Sequence, residues 1–194
     1  MPAMMVVSFA VVLGLVAGGS FYGLSRIHLR LEWLVLALFV FQGFARGRLS
    51  GGGATGWALA GWLLSSLILV GVLAVNWRIP GMAVAIMGTL LNVLVVAVNL
   101  GMPFATEAVR VAPPSAASLI AWGGFYRAVD AGTLLPSLGD VIPLHLWDSA
   151  LVLSLGDLAL AVGVIAVVAD GMTSTARGSR QARRESVGCS EVVE

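Results

Sequence analysis

The sequence predicts an all-α membrane protein, a polytopic transmembrane bundle of about five helices. Hydrophobic residues fill 59% of the 194 positions and charged residues only 11%, and the mean hydropathy of +0.98 is far above that of a soluble domain. Five apolar segments approach the ~20 residues that a helix needs to cross ~30 Å of hydrocarbon. Tryptophans stand at the ends of these segments, as an aromatic belt at the membrane surface predicts: Trp33, Trp57, Trp77 and Trp147.

The first span lies near the N-terminus and is the shortest of the five. No Lys or Arg precedes its apolar run, so we expect a membrane anchor rather than a cleaved secretory signal. The third span closes on Trp77-Arg78, and Pro80 suits the first turn of the fourth, where its missing N–H costs nothing. In chain order, the predicted spans are residues 4–19, 31–44, 57–75, 82–100 and 149–169.

These spans divide the chain into a membrane bundle, residues 1–171, and a polar tail, residues 172–194, which we expect to be disordered. A long outer loop, residues 101–148, joins the fourth and fifth spans, and a connection of this length is unusual without structure of its own. Within it we expect a helix from Ser115 to Ala128, which either lies on the membrane surface or forms a lid on the bundle.

The arginines predict the orientation. An odd number of spans places the two termini on opposite sides of the membrane. With the C-terminus in the cytoplasm, Arg26, Arg30, Arg78 and the tail arginines lie inside, so the positive-inside rule favours N-out and C-in. Arg46 and Arg48 then lie outside, against that rule.

Composition and motifs exclude several classes of function. A net charge of +1 provides no field that would attract nucleic acid. His28 and His145 are expected on opposite sides of the membrane, and the sequence contains no HExxH, GxSxG or P-loop pattern. We therefore expect no metal and no cofactor. The expected partners are the lipid bilayer and either another membrane protein or a second copy of the chain.

One carboxylate, that of Asp157, falls within the fifth apolar segment, where an acid is costly in lipid and is a functional-site candidate by default. Ser154 shares its face at i and i+3. Asn92, in the fourth segment, lies at about the same depth, ~12 Å below the outer surface at ~1.5 Å per residue. The sequence therefore predicts an Asn92–Asp157 contact between two helices, whereas Asn99 is expected to bond to backbone, water or the outer loop.

This polar contact has two interpretations. It can be structural, because small and polar residues let membrane helices approach one another and form hydrogen bonds. It can instead be a proton- or cation-linked site, with the acid as the responsive group and the asparagine amide as its donor. The sequence leaves both open.

Several short motifs carry a resemblance to a known family. They are Asn92, then Asn99 with Gly101-Met102-Pro103, then Leu138 to Pro143, and Ser154-Leu155-Gly156-Asp157. Through them the C-terminal half resembles a family of small bacterial integral membrane proteins of unknown function. The resemblance implies a multi-pass protein of the bacterial cell membrane and brings no activity, substrate or cofactor. The signature positions that it implies are Asn99, Met102, Pro103, Asp140, Ser154 and Asp157.

We therefore expect a non-enzymatic membrane protein, either an accessory subunit or a small carrier, with a polar site between the fourth and fifth helices. Asp157 is expected to be its proton- or ligand-responsive group and Asn92 the hydrogen-bond partner, with Asn99 lining the way out and Asp140 as an outer gate acid. The alternative is a membrane-embedded enzyme acting on a lipid-linked substrate at the outer leaflet, which would use Asp140, His145 and Asp157.

Overall fold

The computed structural model describes residues 2–25, 29–50, 55–111, 125–146 and 149–191, and within these ranges the chain is mostly helical. The helices are α1 (Pro2–Val16), α2 (Phe21–Leu24), α3 (Glu32–Ser50), α4 (Thr55–Val75), α5 (Met82–Asn99), α6 (Thr106–Val111) and α7 (Leu155–Glu191). The strands are β1 (Met102–Phe104), β2 (Tyr126–Ala128), β3 (Ile142–Leu146) and β4 (Ser149–Leu153), and one 3-10 turn covers Pro136–Leu138.

Among the described helices, three are long and apolar enough to cross a membrane, in Gly56–Val75, Met82–Asn99 and Leu155–Ser174. Helices α1 and α3 contain shorter apolar stretches, Val6–Val16 and Glu32–Ala45. Such stretches fall below the ~20 residues that cover the hydrocarbon core. The structure therefore supports three membrane-spanning helices, and the predicted count of five is not established by helix length.

The predicted fifth span, residues 149–169, is wrong at its beginning. Ser149–Leu153 is strand β4, which pairs antiparallel with β3 so that Ile142 faces Leu153 and Leu146 faces Ser149. Helix α7 starts only at Leu155. A short apolar run does not reveal by itself whether it is helical or extended, and here the pairing with β3 decides.

Helix α7 also continues beyond the predicted end of the bundle. It runs to Glu191, whereas composition predicted a disordered tail from residue 172. The sequence after Gly171 contains no proline and several strong helix formers, so nothing in it terminates the helix.

The described part of the connection between α5 and α7 forms a small cap at the end of α5. Strand β1 follows α5 directly and pairs in parallel with β2, Met102 facing Tyr126, while Phe104 forms a bridge with Asp140. Most of the predicted helix from Ser115 to Ala128 lies outside the described residues, but its last three residues belong to strand β2. Extended pairing with β1 has replaced the predicted helical end.

The largest hydrophobic cluster lies where this cap meets the helices. Trp62 of α4 and Val95 and Val96 of α5 pack with Met102 of β1 and with Phe125, which precedes β2. The Trp62 and Phe125 rings meet edge to face with centroids 5.1 Å apart. These contacts hold the cap against α4 and α5. They therefore also fix the position along α5 at which α7 begins.

Helix α7 packs on both α5 and α1. Against α1 its contact is the fully buried side chain of Met172, which fills the space beside Gly14 and Gly19. The backbone N–H of Ser20 donates to the Met172 carbonyl at 2.9 Å. Helix α7 is thus the element that joins the N-terminal helix to the rest of the bundle.

Candidate functional site at the start of helix α7

The predicted contact between Asn92 and Asp157 is a hydrogen bond. The Asn92 Nδ2 donates to the Asp157 Oδ1 at 2.8 Å, and the Ser154 hydroxyl donates to the Asn92 Oδ1 at 2.9 Å. Side-chain hydrogen bonds therefore tie two elements that are distant in sequence, α5 and the beginning of α7. We call Asn92, Ser154 and Asp157 the polar network.

Ser154 and Asp157 also cap helix α7. The Asp157 backbone N–H donates to the Ser154 Oγ at 2.9 Å, and the Ser154 N–H donates to the Asp157 Oδ2 at 3.3 Å. These reciprocal bonds form a capping box in which Asp takes the usual place of Glu or Gln. Asp157 consequently lies in the first turn of α7, not in the middle of a span as the sequence suggested.

The network depends on an unusually close approach of α5 and α7. A Cβ atom added at Gly156 would lie 2.7 Å from the Gly88 carbonyl oxygen and would overlap the Asn92 side chain. A Cβ added at Gly88 would lie 2.5 Å from the Gly156 carbonyl oxygen. Only glycine fits at both positions, so the short Asn92 and Asp157 side chains can reach each other.

The same close contact continues along both helices. A Cβ at Gly163 would lie 2.6 Å from the Ala85 nitrogen and 2.8 Å from the Gly81 carbonyl oxygen. Gly81 has a φ of 92°, a left-handed conformation that glycine adopts without strain. The antiparallel helices therefore touch backbone to backbone from Gly81 to Gly88, and the polar network completes this seam at the end where α7 begins.

Burial and charge distinguish the members of the network. Ser154 is fully buried, whereas Asn92 and Asp157 are half-buried. Both Asp157 oxygens accept hydrogen bonds, one from the Asn92 amide and one from the Ser154 N–H. The N-terminal end of a helix favours a negative charge. The site therefore presents one partly accessible carboxylate, fixed in position by donors from both helices.

Asn99 is not part of the network. Its Oδ1 accepts from the Leu134 N–H at 2.8 Å, while its Nδ2 donates to the Leu134 and Val95 carbonyls at 2.9 and 2.8 Å. The side chain thus fastens the outer cap to the end of α5. These bonds agree with the expectation that Asn99 bonds to backbone and to the predicted outer loop. They also occupy the amide group that was expected to line a way out.

Asp140 lies at the base of the cap and is only 5% exposed. Its N–H donates to the Pro103 carbonyl at 2.8 Å, and its own carbonyl accepts from the Ala105 N–H at 3.0 Å. These bonds hold Asp140 against strand β1, and none of the four bonds of the polar network includes it. His145 pairs with Ala150 in the β3–β4 hairpin, and its side chain lies outside the described part of the chain.

Two features of the structure were not predicted from the sequence. One is the Ser154-x-x-Asp157 capping box, which is a known sequence signal for a helix start and would have moved the beginning of α7. The other is Asn76, a buried residue at the end of α4 whose partner lies 46 positions away. No local pattern identifies such a partner. Within the described residues, no group of three or more His, Cys, Asp and Glu is arranged to hold a metal ion.

Comparison with known proteins identifies a family. The model described as "Family of unknown function (DUF5317)" matches residues 26–169, a range that contains α3 to α5, the cap, the β3–β4 hairpin and the polar network. The match begins far upstream of the C-terminal half in which the resemblance was found. Neither the curated proteins nor the solved structures give a significant match.

Proposed function

The chain belongs to the family of unknown function DUF5317, and from this premise we propose a non-enzymatic, multi-pass protein of the bacterial cell membrane. It acts as a small carrier or as an accessory subunit, and its polar network is a proton- or cation-responsive joint between α5 and α7. One observation carries the proposal: the Asp157 carboxylate is at once the cap of α7 and the acceptor of the bond from α5.

The membrane location is supported by the surface of the three long helices. Large apolar side chains are exposed on each of them, for example Leu64 on α4, Met87 on α5 and Val162 on α7. Exposed apolar surface on this scale requires lipid or a partner to cover it. Helices also satisfy their own backbone hydrogen bonds, which a lipid environment demands.

The joint would respond because one carboxylate serves two contacts. A proton or a bound cation on Asp157 neutralises the charge that strengthens the bonds from Asn92 and from the Ser154 N–H. The cap of α7 and its tie to α5 then weaken together.

A purely structural role is the competing function, and the reciprocal capping bonds favour it specifically. In that case the network only sets where α7 begins and how closely it approaches α5. The two functions differ in one respect: a structural tie needs hydrogen-bond acceptors at position 157, whereas a responsive joint needs a titratable, negatively charged group there.

The test compares wild type with Asp157→Asn, which removes the charge and keeps one of the two acceptor oxygens, so that the bond from Asn92 can be retained. The purified proteins are melted in detergent over a series of Na⁺ and Li⁺ concentrations, and proteoliposomes are assayed for collapse of an imposed pH gradient. Specific binding of a cation at 100-fold its Kd stabilises a folded protein by about 2.7 kcal/mol. We expect the wild type to show a cation-dependent midpoint or proton flux, and Asp157→Asn to fold and to show neither.

The matched control is Asp130→Asn. Asp130 lies in an exposed turn of the cap and its Oδ1 accepts from Gly132 and Thr133, bonds that an amide oxygen can keep. It should respond like the wild type. Identical cation and proton responses in wild type and Asp157→Asn would leave the structural tie as the function of the network.

The enzyme alternative has less support. It requires Asp140, His145 and Asp157 to act together, but the described bonds of Asp140 hold its backbone against β1 and those of Asp157 join it to Asn92 and Ser154. No observation specifically favours this function, and we do not propose it.

A further inference from the structure

A second candidate site lies at the opposite end of α5 from the polar network. An open cavity of about 470 Å³ forms where the chain enters α3 and leaves α4. Its lining residues are Arg30, Val75, Asn76, Trp77, Arg78 and Ile79. Two arginines from distant parts of the sequence thus line one small cavity, and its described lining contains no acid.

Asn76 builds the frame that brings the arginines together. It is 6% exposed, and its Oδ1 accepts from the Arg30 N–H at 2.9 Å. Its Nδ2 donates to the Arg30 carbonyl at 3.1 Å and to the Val72 carbonyl at 2.9 Å. The backbone of Arg30 is therefore bonded to Asn76 at the end of α4. Asn76 itself lies only two residues before Arg78.

The aromatic wall of the cavity places it at a membrane surface. Trp77 is 63% exposed at the end of an apolar helix, which is the position of interfacial tryptophans. The Arg78 guanidinium lies 6.0 Å from the centre of the Trp77 ring. A cation–aromatic contact at this distance orients the arginine and leaves its N–H groups available to a ligand.

We propose that this cavity binds a phosphate group, carried by the headgroup of an anionic phospholipid or by a free phosphate. Two arginines line this cavity without an acid among its described lining residues, so their positive charges favour an anion there. Arginine binds phosphate oxygens with paired, charge-assisted hydrogen bonds. Headgroups occupy the same level of the membrane as the exposed Trp77, so a lipid phosphate reaches the cavity without entering the hydrocarbon.

The experiment measures binding of phosphatidylglycerol by native mass spectrometry and by thermal melting in phosphatidylcholine nanodiscs with and without phosphatidylglycerol. The variants are Arg30→Gln, Arg78→Gln and the double substitution. An arginine near an anionic lipid surface contributes enough to change affinity about fivefold, so we expect about fivefold weaker binding in each single variant and about 25-fold in the double. Arg127→Gln is the matched control, because Arg127 is an exposed arginine beside Gly101, at the other end of α5.

The second arm replaces the lipid by inorganic phosphate in detergent. If only phosphatidylglycerol stabilises the protein, the site is a lipid site. If inorganic phosphate stabilises it to the same extent, the ligand is a free phosphate. In both cases the double variant must lose the stabilisation. Equal binding by wild type and the double variant overturns the proposal, as does an equal loss in Arg127→Gln. If the Gln variants do not fold, the double substitution Arg30→Lys and Arg78→Lys replaces them, because it keeps both charges. It should bind phosphatidylglycerol more weakly than wild type. Unchanged binding would count against recognition by paired arginine hydrogen bonds.

Discussion

At the scale of single residues, three asparagines organise the described chain by holding backbone or side chains that are distant in sequence. Asn76 and Asn99 make the same set of bonds: each donates to the carbonyl four residues earlier and clamps both backbone groups of one remote residue. In both cases the clamped residue precedes a leucine with positive φ, Leu31 at 63° and Leu135 at 51°. Left-handed backbone is unfavourable for leucine, and the asparagine clamp offsets that strain.

The burial of the two clamps predicts an order of stabilities. Asn76→Ala removes a buried side chain and leaves backbone groups of Arg30 without partners in a partly buried position, and we expect it to lower the free energy of unfolding by about 2–3 kcal/mol. Asn99→Ala exposes the equivalent groups of Leu134 closer to water, and we expect about 1 kcal/mol. Unfolding in mixed micelles, followed by circular dichroism, measures both. An equal loss in the two variants would contradict the role of burial.

Ser154 is the residue on which the polar network and the helix cap both depend. Ser154→Ala removes the acceptor for the Asp157 N–H and the donor to Asn92, so we expect a loss of about 1–2 kcal/mol in the free energy of unfolding. Ser25→Ala removes one exposed bond to the Tyr22 carbonyl and should change stability by less than about 0.5 kcal/mol. The same unfolding experiment in micelles measures both variants. Similar losses in the free energy of unfolding would show that Ser154 is not a special position.

At the scale of elements, the seam between α5 and α7 is the closest helix contact described. It consists of Gly81, Ala85 and Gly88 on one side and Gly156 and Gly163 on the other. Membrane helices associate without a hydrophobic driving force, so small residues that allow backbone contact contribute most of the packing. The seam also explains why the hydrogen bonds of the polar network form between such short side chains.

Substitution of one seam glycine tests this packing without touching the polar network. Gly163→Ala places a methyl group within 3 Å of Ala85 and Gly81, and we expect it to lower the free energy of unfolding by about 1–3 kcal/mol. Gly71→Ala is the matched control: Gly71 lies inside α4, near its C-terminal end, with nothing within 4 Å of an added Cβ. It should be neutral or stabilising by up to about 1 kcal/mol. Thermal melting in detergent measures both, and a harmless Gly163→Ala would rule out a tight seam.

At the scale of the whole molecule, α7 is the longest element and connects the membrane part to the C-terminus. Its 37 residues extend over about 55 Å, which exceeds the ~30 Å of the hydrocarbon core. The apolar part, Leu155–Ser174, fits the membrane, and the remaining turns extend beyond it. Three spans or five give the same relation between the termini, because both numbers are odd.

The only cysteine of the chain, Cys189, provides a test of orientation. If the C-terminus is inside, a membrane-impermeant maleimide should leave Cys189 unlabelled in intact cells and label it after permeabilisation. The control is Cys189→Ser combined with Asp130→Cys in the outer cap, which should be labelled in intact cells. Labelling of Cys189 in intact cells would reverse the predicted topology.

The sequence by itself determined the membrane class, the third and fourth spans and the Asn92–Asp157 contact. The predicted spans 57–75 and 82–100 differ from α4 and α5 by at most two residues at any end. A long apolar segment predicts a helix from its own sequence, because the residues that lie on one face of a helix are only a few positions apart. The Asn92–Asp157 contact was predicted by counting depth along two helices, and it is present although residues 149–153, which were counted as helix, form a strand.

Only the tertiary structure decided that Ser149–Leu153 is a strand and that Asn76 holds Arg30 beside Arg78. Both depend on a partner that lies outside the segment itself. Strand β4 is extended because β3 supplies its hydrogen bonds, and the Asn76 side chain is fixed by a backbone 46 residues away. Side-chain and strand pairing over such separations is set by packing of the whole chain, and periodicity within one segment carries no record of it.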